Sequence, residues 1–385
     1  MRPHQKLIWL KVTLALALAS GLVLSWRLWI SSRLFPLAPF IRNLPTIPFP
    51  FDYIWFALIL GLLAGICFRA RPRLLVIAFL VLAGLLCLFD QMRWQPWFYQ
   101  YFFMLAALGF YAWKEPAVKN NRAALNVCAL MIVSIYFWSG VQKLNASFLT
   151  EVWPDVAEPL LRFLPRGAKS LSPFTGLIVP LLEICVGLGL LTRKFRNASV
   201  ILAITTHAVI LTLLISTGEN TVVWPWNIAM GLMVLILFWQ NRETRARQIL
   251  VPKRVFHTLV LILFGVLPVL SLFGLWDSYL SSALYSGNNY RAVIYVNRSA
   301  IDRLPVVLYP HIWQRTEPWF LDMNRWAYDE LNVPIYPEPR VFRTVTRQVC
   351  TYVASPSDIK LGIKAKPNLF TALRETSYYD CNHLR

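Results

Sequence analysis

Long apolar runs recur through the first 275 residues and constrain the fold more than any other feature of the sequence. Most of them are long enough to cross a hydrocarbon core of about 30 Å as a helix. Of all residues, 57% are hydrophobic and only 15% are charged, whereas soluble domains have about a quarter charged. The sequence therefore predicts an all-α polytopic membrane protein of about nine transmembrane helices. The predicted spans are 7–26, 53–69, 74–91, 98–113, 123–142, 174–192, 198–216, 223–240 and 255–275.

The formal net charge of +19 belongs mainly to this membrane part. Residues 1–275 hold 25 of the 38 Lys and Arg but only 9 of the 19 Asp and Glu. The surplus lies at the N-terminus and in alternate loops such as 69–73 and 193–196, and short loops rich in Lys and Arg stay in the cytoplasm. This alternation predicts a cytoplasmic N-terminus in the cell (inner) membrane and an extracytoplasmic C-terminal tail. It gives no argument for a nucleic-acid partner.

Two further expectations concern the ends of the chain. The run 7–26 is interpreted as an uncleaved first helix rather than a secretory signal, because apolar character continues to Trp29. The tail, residues 276–385, lacks long apolar runs and is predicted to be a small extracytoplasmic α+β domain. Its predicted elements are a strand at Arg291–Val296, a short helix at Phe320–Leu331 and a β-rich run at Val341–Val353.

Cysteine usage fits the same division. Cys350 and Cys381 are the two cysteines of the tail, and an extracytoplasmic location would let them form a disulfide. The sequence alone does not establish that their Cα atoms lie close enough for a bridge. The others lie in apolar runs, where a free thiol behaves as a small hydrophobe: Cys67, Cys87, Cys128 and Cys185. No spacing of Cys and His predicts a metal site.

Lys143, at the end of the fifth apolar run, is the first candidate catalytic residue. An ionisable side chain in a membrane segment usually faces a partner, a cavity or a pathway. Lys143 shares a helical face with Ser139. Burial among apolar side chains disfavours the ammonium form, which favours action as a general base. The alternative is that the ammonium extends to the lipid headgroups, and residue chemistry leaves both interpretations open.

Glu183 and His207 are the other two candidates, each near the middle of an apolar run. A short carboxylate at that depth is expected to be either protonated or paired. A lone histidine in an apolar helix is often a packing residue. Because the two residues lie on consecutive predicted helices, they are also candidates for pairing with each other.

A polar and aromatic cluster opens the eighth run. Trp224 and Trp226 are typical of an interfacial belt, whereas Asn227 lies one step inside the apolar segment. Together with Lys143, Asn227 is expected to border an outward-facing pocket roomy enough for an aromatic or quinone-like ligand. The predicted pocket-lining residues are Ser139, Gln142, Asn145, Trp224, Trp226 and Asn227.

The segment 136–145, YFWSGVQKLN, followed by Phe148, resembles the horizontally transferred transmembrane domain shared with vitamin K-dependent gamma-carboxylases. In that family a Tyr-Phe-x-x-Gly-x-x-Lys-Leu-(Asn/Asp) pattern closes a membrane helix. The similarity continues through Glu183, the helix of His207, and residues 276–287. It covers roughly 250 residues, most clearly 120–290.

The resemblance implies a chemistry. In the carboxylases the motif lysine is regarded as the base that deprotonates reduced vitamin K, and oxygenation of that quinol provides the strong base that removes a glutamate γ-proton before CO₂ adds. By position, Lys143 would be the base, and His207 and Glu183 would be its polar partners. A reduced quinone of the vitamin K or menaquinone type is the implied cofactor, and an extracytoplasmic protein or peptide the implied substrate.

The chain also departs from the family pattern. Gln142 stands where the animal enzymes tend to have a second lysine, and Asn145 replaces their aspartate. The tail is much shorter than their lumenal portion, so propeptide-directed carboxylation is not expected in that form.

The sequence leaves three functions open. The first is a quinol-dependent, carboxylase-like enzyme with Lys143 as base. The second is a quinone-binding redox or maturation component similar to the DoxX or MauE class. The third is a non-catalytic membrane anchor that presents the external tail to a partner.

Overall fold

The computed structural model describes residues 2–41, 44–114, 117–161, 172–218, 220–314 and 319–384. The membrane part is helical. Its α-helices are α1 (Pro3–Leu24), α2 (Trp26–Trp29), α3 (Phe51–Phe68), α4 (Arg73–Phe89), α5 (Pro96–Tyr111), α6 (Ala117–Lys143), α7 (Trp153–Leu161), α8 (Ser172–Gly176), α9 (Ile178–Leu191), α10 (Arg196–Thr217), α11 (Val223–Phe238), α12 (Ala246–Leu250) and α13 (Val255–Val260).

Every predicted apolar run coincides with helical structure, so the chain is a helical membrane protein. Within the described residues, six helical segments are long and apolar enough to cross a membrane. They are Pro3–Leu24, Phe51–Phe68, Ala117–Lys143, Phe174–Leu191, Arg196–Thr217 and Val255–Phe273. Two further apolar helices, α4 and α11, are shorter, and α5 has 16 residues. The number of nine crossings stays a prediction.

The last predicted span, 255–275, is helical but not a continuous α-helix. After α13 the chain forms a π-helix over Leu261–Val266 and a 3₁₀-helix over Leu267–Phe273. Pro268 lacks a backbone N–H and therefore cannot continue the α-helical hydrogen bonding. Gly274 ends the segment with a positive φ of 72°.

The loop after α2 is attached to the bundle by a buried ion pair. Arg33 Nη2 lies 2.5 Å from Asp90 Oδ2, and both side chains are almost completely buried. Arg33 also donates to the Leu28 and Phe35 carbonyls. Asp90 Oδ1 accepts hydrogen bonds from the backbone N–H groups of Ala38 and Met92. The pair joins the loop to the C-terminal end of α4.

The described tail contains a five-stranded antiparallel sheet in the order β2-β3-β1-β4-β5. Ile294 of β1 lies opposite Leu321 of β3 and Leu361 of β4, and all three are buried. The strands are β1 (Arg291–Val296), β2 (Ile312–Trp313), β3 (Trp319–Leu321), β4 (Ile359–Lys364) and β5 (Thr376–Asp380), and the helices are α14 (Met323–Leu331), α15 (Pro339–Val349) and α16 (Cys381–Leu384).

The sequence prediction for the tail is correct for one element and wrong for another. The strand Arg291–Val296 is confirmed. The run Val341–Val353 is not β-rich, because α15 extends to Val349 and a 3₁₀-helix follows. Its apolar side chains recur at helical rather than alternating spacing, and they form the buried face of α15. The buried positions include Val341, Phe342, Val345 and Val349.

Two smaller tail predictions meet a more detailed structure. The predicted helix Phe320–Leu331 begins only at Met323, because Trp319–Leu321 forms β3. Asp322 caps that helix by accepting hydrogen bonds from the N–H groups of residues 324 and 325. Cys350 and Cys381 form a disulfide with their Cα atoms 5.8 Å apart, which connects the end of α15 to the start of α16.

Candidate functional site

A cavity of about 470 Å³ lies among α5, α6, α9, α10, α11 and the first residues of the tail. Apolar side chains provide most of its lining, and polar groups project into it from all five of these helices. A mostly apolar cavity of this size with a few placed polar groups is typical of a small-molecule site. Its polar lining includes the side chains of Gln100, Tyr136, Ser139, Lys143, Glu183, His207, Trp226 and Asn227.

Lys143 and Glu183 form a buried ion pair in this cavity. Lys143 Nζ lies 2.8 Å from Glu183 Oε2 and 3.1 Å from Oε1. The same nitrogen donates to Ser139 Oγ at 2.5 Å, and it lies 3.3 Å from the Ser139 carbonyl oxygen. The two side chains are only 9% and 11% exposed. Opposite charges therefore neutralise each other where an unpaired ion would be strongly unfavourable.

Glycine residues bring the helices of this pair together. A Cβ atom on Gly140 of α6 would lie 2.5 Å from the Pro180 carbonyl oxygen of α9. A Cβ atom on Gly187 of α9 would lie 3.0 Å from the Phe137 backbone nitrogen. Small residues allow membrane helices to approach backbone to backbone. Lys143 lies three residues after Gly140 on α6. The close approach of α6 to α9 at Gly140 therefore places Glu183 beside Lys143.

His207 belongs to a second polar group on the same cavity. Its Nε2 lies 2.6 Å from the Tyr136 hydroxyl, and its Nδ1 lies 2.8 Å from Asn227 Oδ1. The Asn227 amide nitrogen donates to the Val223 carbonyl, so the amide oxygen faces His207 and accepts. A neutral His207 therefore carries its proton on Nδ1 and accepts the Tyr136 hydroxyl proton at Nε2.

Glu183 and His207 do not bond to each other. Glu183 pairs with Lys143, whereas His207 pairs with Tyr136 and Asn227. The three candidate catalytic residues thus line one cavity in two neighbouring groups.

Ser139, Trp226 and Asn227 line the cavity as the sequence predicts. Trp226 Nε1 donates to Gln100 Oε1 at 2.8 Å. On α11 the lining residues 223, 226, 227 and 230 recur at helical spacing on one face.

Three of the predicted lining residues lie elsewhere. Trp224 is off the lining face of α11, because one residue turns a helix by about 100°. Gln142 donates to the Pro268 carbonyl and accepts from Asn288. Asn145 donates to the Gln142 and Ser286 carbonyls. Gln142 and Asn145 therefore fasten the end of α6 to the last membrane segment and the start of the tail.

Sequence reasoning missed Tyr136 and Gln100. Tyr136 lies seven residues before Lys143, a spacing that returns to the same helical face. Gln100 lies within the fourth predicted span and is completely buried. A search of the apolar runs for uncharged amides as well as for ionisable residues would have found it. In the described part of the chain, no group of three or more His, Cys, Asp or Glu is arranged to hold a metal ion.

Comparison of the chain with family models, with curated proteins and with solved structures gives no match in any of the three.

Proposed function

We propose that the protein is a quinol-dependent membrane enzyme of the horizontally transferred transmembrane domain type, in which Lys143 is the base that acts on an aromatic hydroxyl. The observation that carries this proposal is the position of Lys143. Its ammonium is buried, held by Glu183 and Ser139, and lines a cavity. A lysine that only reached for lipid headgroups would not have this arrangement.

The cavity suits a reduced quinone. Its apolar lining fits an aromatic ring with a prenyl substituent, and the Lys143 and His207 groups provide polar contacts for ring oxygens. When bound, such a quinol supplies a hydroxyl whose deprotonation makes the ring reactive towards O₂.

Glu183 gives Lys143 a route to the amine form. Transfer of a proton from Lys143 Nζ to Glu183 Oε2, 2.8 Å away, leaves a neutral amine and a neutral carboxyl group. The pair carries no net charge before or after this step, so the transfer does not create an unpaired ion in the apolar cavity. The amine then accepts the proton of a hydroxyl placed beside Ser139.

The proposal includes an orientation. Nine crossings put the two ends of the chain on opposite sides of the membrane. The alternation of Lys and Arg in the loops supports a cytoplasmic N-terminus and a tail outside the cell (inner) membrane. Lys143, at the end of α6 next to the tail, then lies near the outer face. An extracytoplasmic protein or peptide is the corresponding substrate.

The test uses the purified protein in lipid nanodiscs with vitamin K hydroquinone or menaquinol. Oxygen uptake, quinone epoxide formation and fixation of labelled CO₂ into a glutamate-containing peptide are measured. Lys143→Ala should lower turnover by at least about 100-fold, the usual contribution of a general base. Turnover that persists in Lys143→Ala would reject the proposal.

Lys11→Met is the matched control. Lys11 is also buried in a membrane helix, where its Nζ donates to the Cys67 and Arg69 carbonyls, and it does not line the cavity. Its loss should leave the turnover of folded protein unchanged.

A quinone-binding redox or maturation component is the second candidate, favoured by the Tyr136–His207 hydrogen bond. Oxidation of a quinol to a quinone releases two protons, and this pair provides an acceptor besides Lys143 and Glu183. This function predicts quinol oxidation without epoxide or CO₂ fixation, with electrons passed to a copurifying thiol–disulfide protein.

A non-catalytic membrane anchor predicts instead that Lys143, Glu183 and His207 tolerate substitution singly and together.

A further inference from the structure

A second cavity lies at the opposite end of the helix bundle from Lys143. It has a volume of about 200 Å³ and is formed where α1 and α6 begin and α11 ends. Its lining includes the side chains of Lys6, Arg122, Leu125, Ala129, Phe238, Trp239, Arg242 and Glu243. The distribution of Lys and Arg predicts that this end faces the cytoplasm.

The lining carries a surplus of positive charge. Lys6, Arg122 and Arg242 contribute three cations, and Glu243 contributes one carboxylate. Glu243 pairs with Arg122 at 2.8 Å. Two cationic side chains of the lining therefore remain to attract an anion, and Lys6 is the more deeply placed of them, at 8% exposed. Lys6 Nζ donates to the Leu237 carbonyl at 3.2 Å, and an ammonium has three donors.

A buried arginine supports the turn that carries Arg242. Arg196 is 2% exposed, and its guanidinium donates to the carbonyl oxygens of Asn241 and Thr244. Because these carbonyls flank residues 242 and 243, the turn is held against the bundle.

The other wall of the cavity is apolar. Leu125 and Ala129 of α6 and Phe238 and Trp239 at the end of α11 line it, and Trp239 is 38% exposed. A ligand that fills the cavity therefore meets cations at one side and apolar side chains at the other, and Trp239 leads to the exposed side of α11, on which Leu235 and Leu232 also lie. An amphiphile with an anionic head satisfies both.

We infer that this cavity binds the phosphate headgroup of an anionic phospholipid, whose acyl chains extend along the exposed side of α11. Basic pockets between membrane helices at the cytoplasmic side suit such headgroups, and the anionic lipids of the cytoplasmic leaflet supply them. Free phosphate shares the charge of the headgroup, but it cannot use the apolar wall. The inference does not depend on the function of the Lys143 cavity.

The experiment measures lipid binding to the delipidated full-length protein in detergent by native mass spectrometry and by the shift in thermal unfolding. Phosphatidylglycerol, phosphatidylcholine with the same acyl chains, and inorganic phosphate are compared. Phosphatidylglycerol should bind at least about fivefold more tightly than phosphatidylcholine, since one Lys or Arg near an anionic lipid contributes about 1 kcal/mol. Inorganic phosphate should not produce the shift.

Lys6→Met and Arg242→Gln should each weaken phosphatidylglycerol binding by about fivefold. Lys253→Gln is the control, because Lys253 is an exposed cation in the following loop that does not line the cavity. Arg242 is exposed, so Arg242→Gln decides the result if Lys6→Met does not fold. Equal binding of the two lipids, an equal effect of Lys253→Gln, or a shift with inorganic phosphate alone would overturn the inference.

Discussion

Two buried ion pairs in the membrane part have similar chemistry but different surroundings. Arg33 and Asp90 are surrounded by backbone groups. Arg33 donates hydrogen bonds to backbone carbonyls, and Asp90 accepts hydrogen bonds from backbone N–H groups of the loop and of the residues after α4. Lys143 and Glu183 are held by each other and by Ser139, and they line a cavity of about 470 Å³.

Under the proposed function, the difference separates structural from chemical use of buried charge. The partners of Arg33 and Asp90 are parts of the protein backbone, so this pair fixes the course of the chain. The cavity beside Lys143 and Glu183 gives a ligand access to the second pair. Removing one member should therefore affect folding most at the first pair and chemistry most at the second.

Asp90→Ala should have the largest effect on folding. Loss of one partner of a buried ion pair typically lowers the free energy of unfolding by about 3–5 kcal/mol, and two backbone N–H groups also lose their acceptor. Denaturant unfolding in detergent measures the change. Glu151→Gln, which breaks the half-exposed pair with Arg291, should change stability by at most about 1 kcal/mol. Equal effects of the two substitutions would show that burial does not distinguish these pairs.

Replacing both members of the cavity pair should act in the opposite direction. In Lys143→Met with Glu183→Met, the free energy of unfolding should stay equal or rise by up to about 4 kcal/mol, as when apolar residues replace other buried pairs. Quinol turnover should be lost in the same protein. A large loss of stability would instead show that Lys143 and Glu183 are structural, like Arg33 and Asp90.

Gly140→Ala tests how the cavity pair is assembled. The added Cβ would meet the Pro180 carbonyl oxygen at 2.5 Å, so α6 and α9 must separate, at a cost of about 1–3 kcal/mol for overpacking. Turnover should fall as Lys143 moves from Glu183. The control is Gly61→Ala on α3, where a new Cβ has no neighbour within 4 Å. Full activity in Gly140→Ala would mean that close approach of the helices is unnecessary.

A pH-dependent effect concerns a charged group outside the membrane spans. Burial lowers the pKa of Lys366 from 10.5 to about 8, while Glu338 and Asp277 oppose this shift. Between pH 8 and 10.5 the unfolded chain binds the proton more strongly, so this lysine should make stability rise with pH by up to about 1.4 kcal/mol per unit. Below pH 8 both states are protonated and the contribution is constant.

Lys366→Met removes the contribution of this lysine to the pH dependence of stability. Unfolding curves of the variant and the wild type, compared between pH 8 and 10.5, separate that contribution from those of other titrating groups. Lys366 donates to the Ser271 carbonyl and hydroxyl at the end of the last membrane segment. Identical pH slopes for the two proteins would show that this contact with the membrane part does not titrate. The ion pairs inside the bundle are the same in both proteins, so they should not contribute to the difference between the two pH slopes.

Much of the architecture could be read from local sequence. The positions of the helices follow from apolar runs, because burial of apolar side chains and satisfaction of backbone hydrogen bonds are properties of each segment. The strand Arg291–Val296 was predictable for the same reason. The run 341–353 was mispredicted because its Val-rich composition favours strands, although its apolar residues recur at the helical spacing with which α15 packs on the sheet.

Single residues of the candidate site were also predictable, but their partners were not. Lys143, Glu183 and His207 stand out as polar groups in apolar runs, and this signal depends on sequence alone. Which of them pair depends on the approach of α6 to α9 at Gly140 and Gly187. Glu183 lies forty residues after Lys143, and nothing in the spacing distinguishes it from His207 as a partner.

The sequence by itself therefore determined that this chain is a helical membrane protein, and where its helices and unusual polar groups lie, because these depend on local transfer free energies. The tertiary structure decided that Glu183 neutralises Lys143, that Tyr136 and Asn227 bond the two ring nitrogens of His207, and that Gln142 and Asn145 attach α6 to the tail. These outcomes depend on packing distances of a few ångströms between helices, which no single segment encodes.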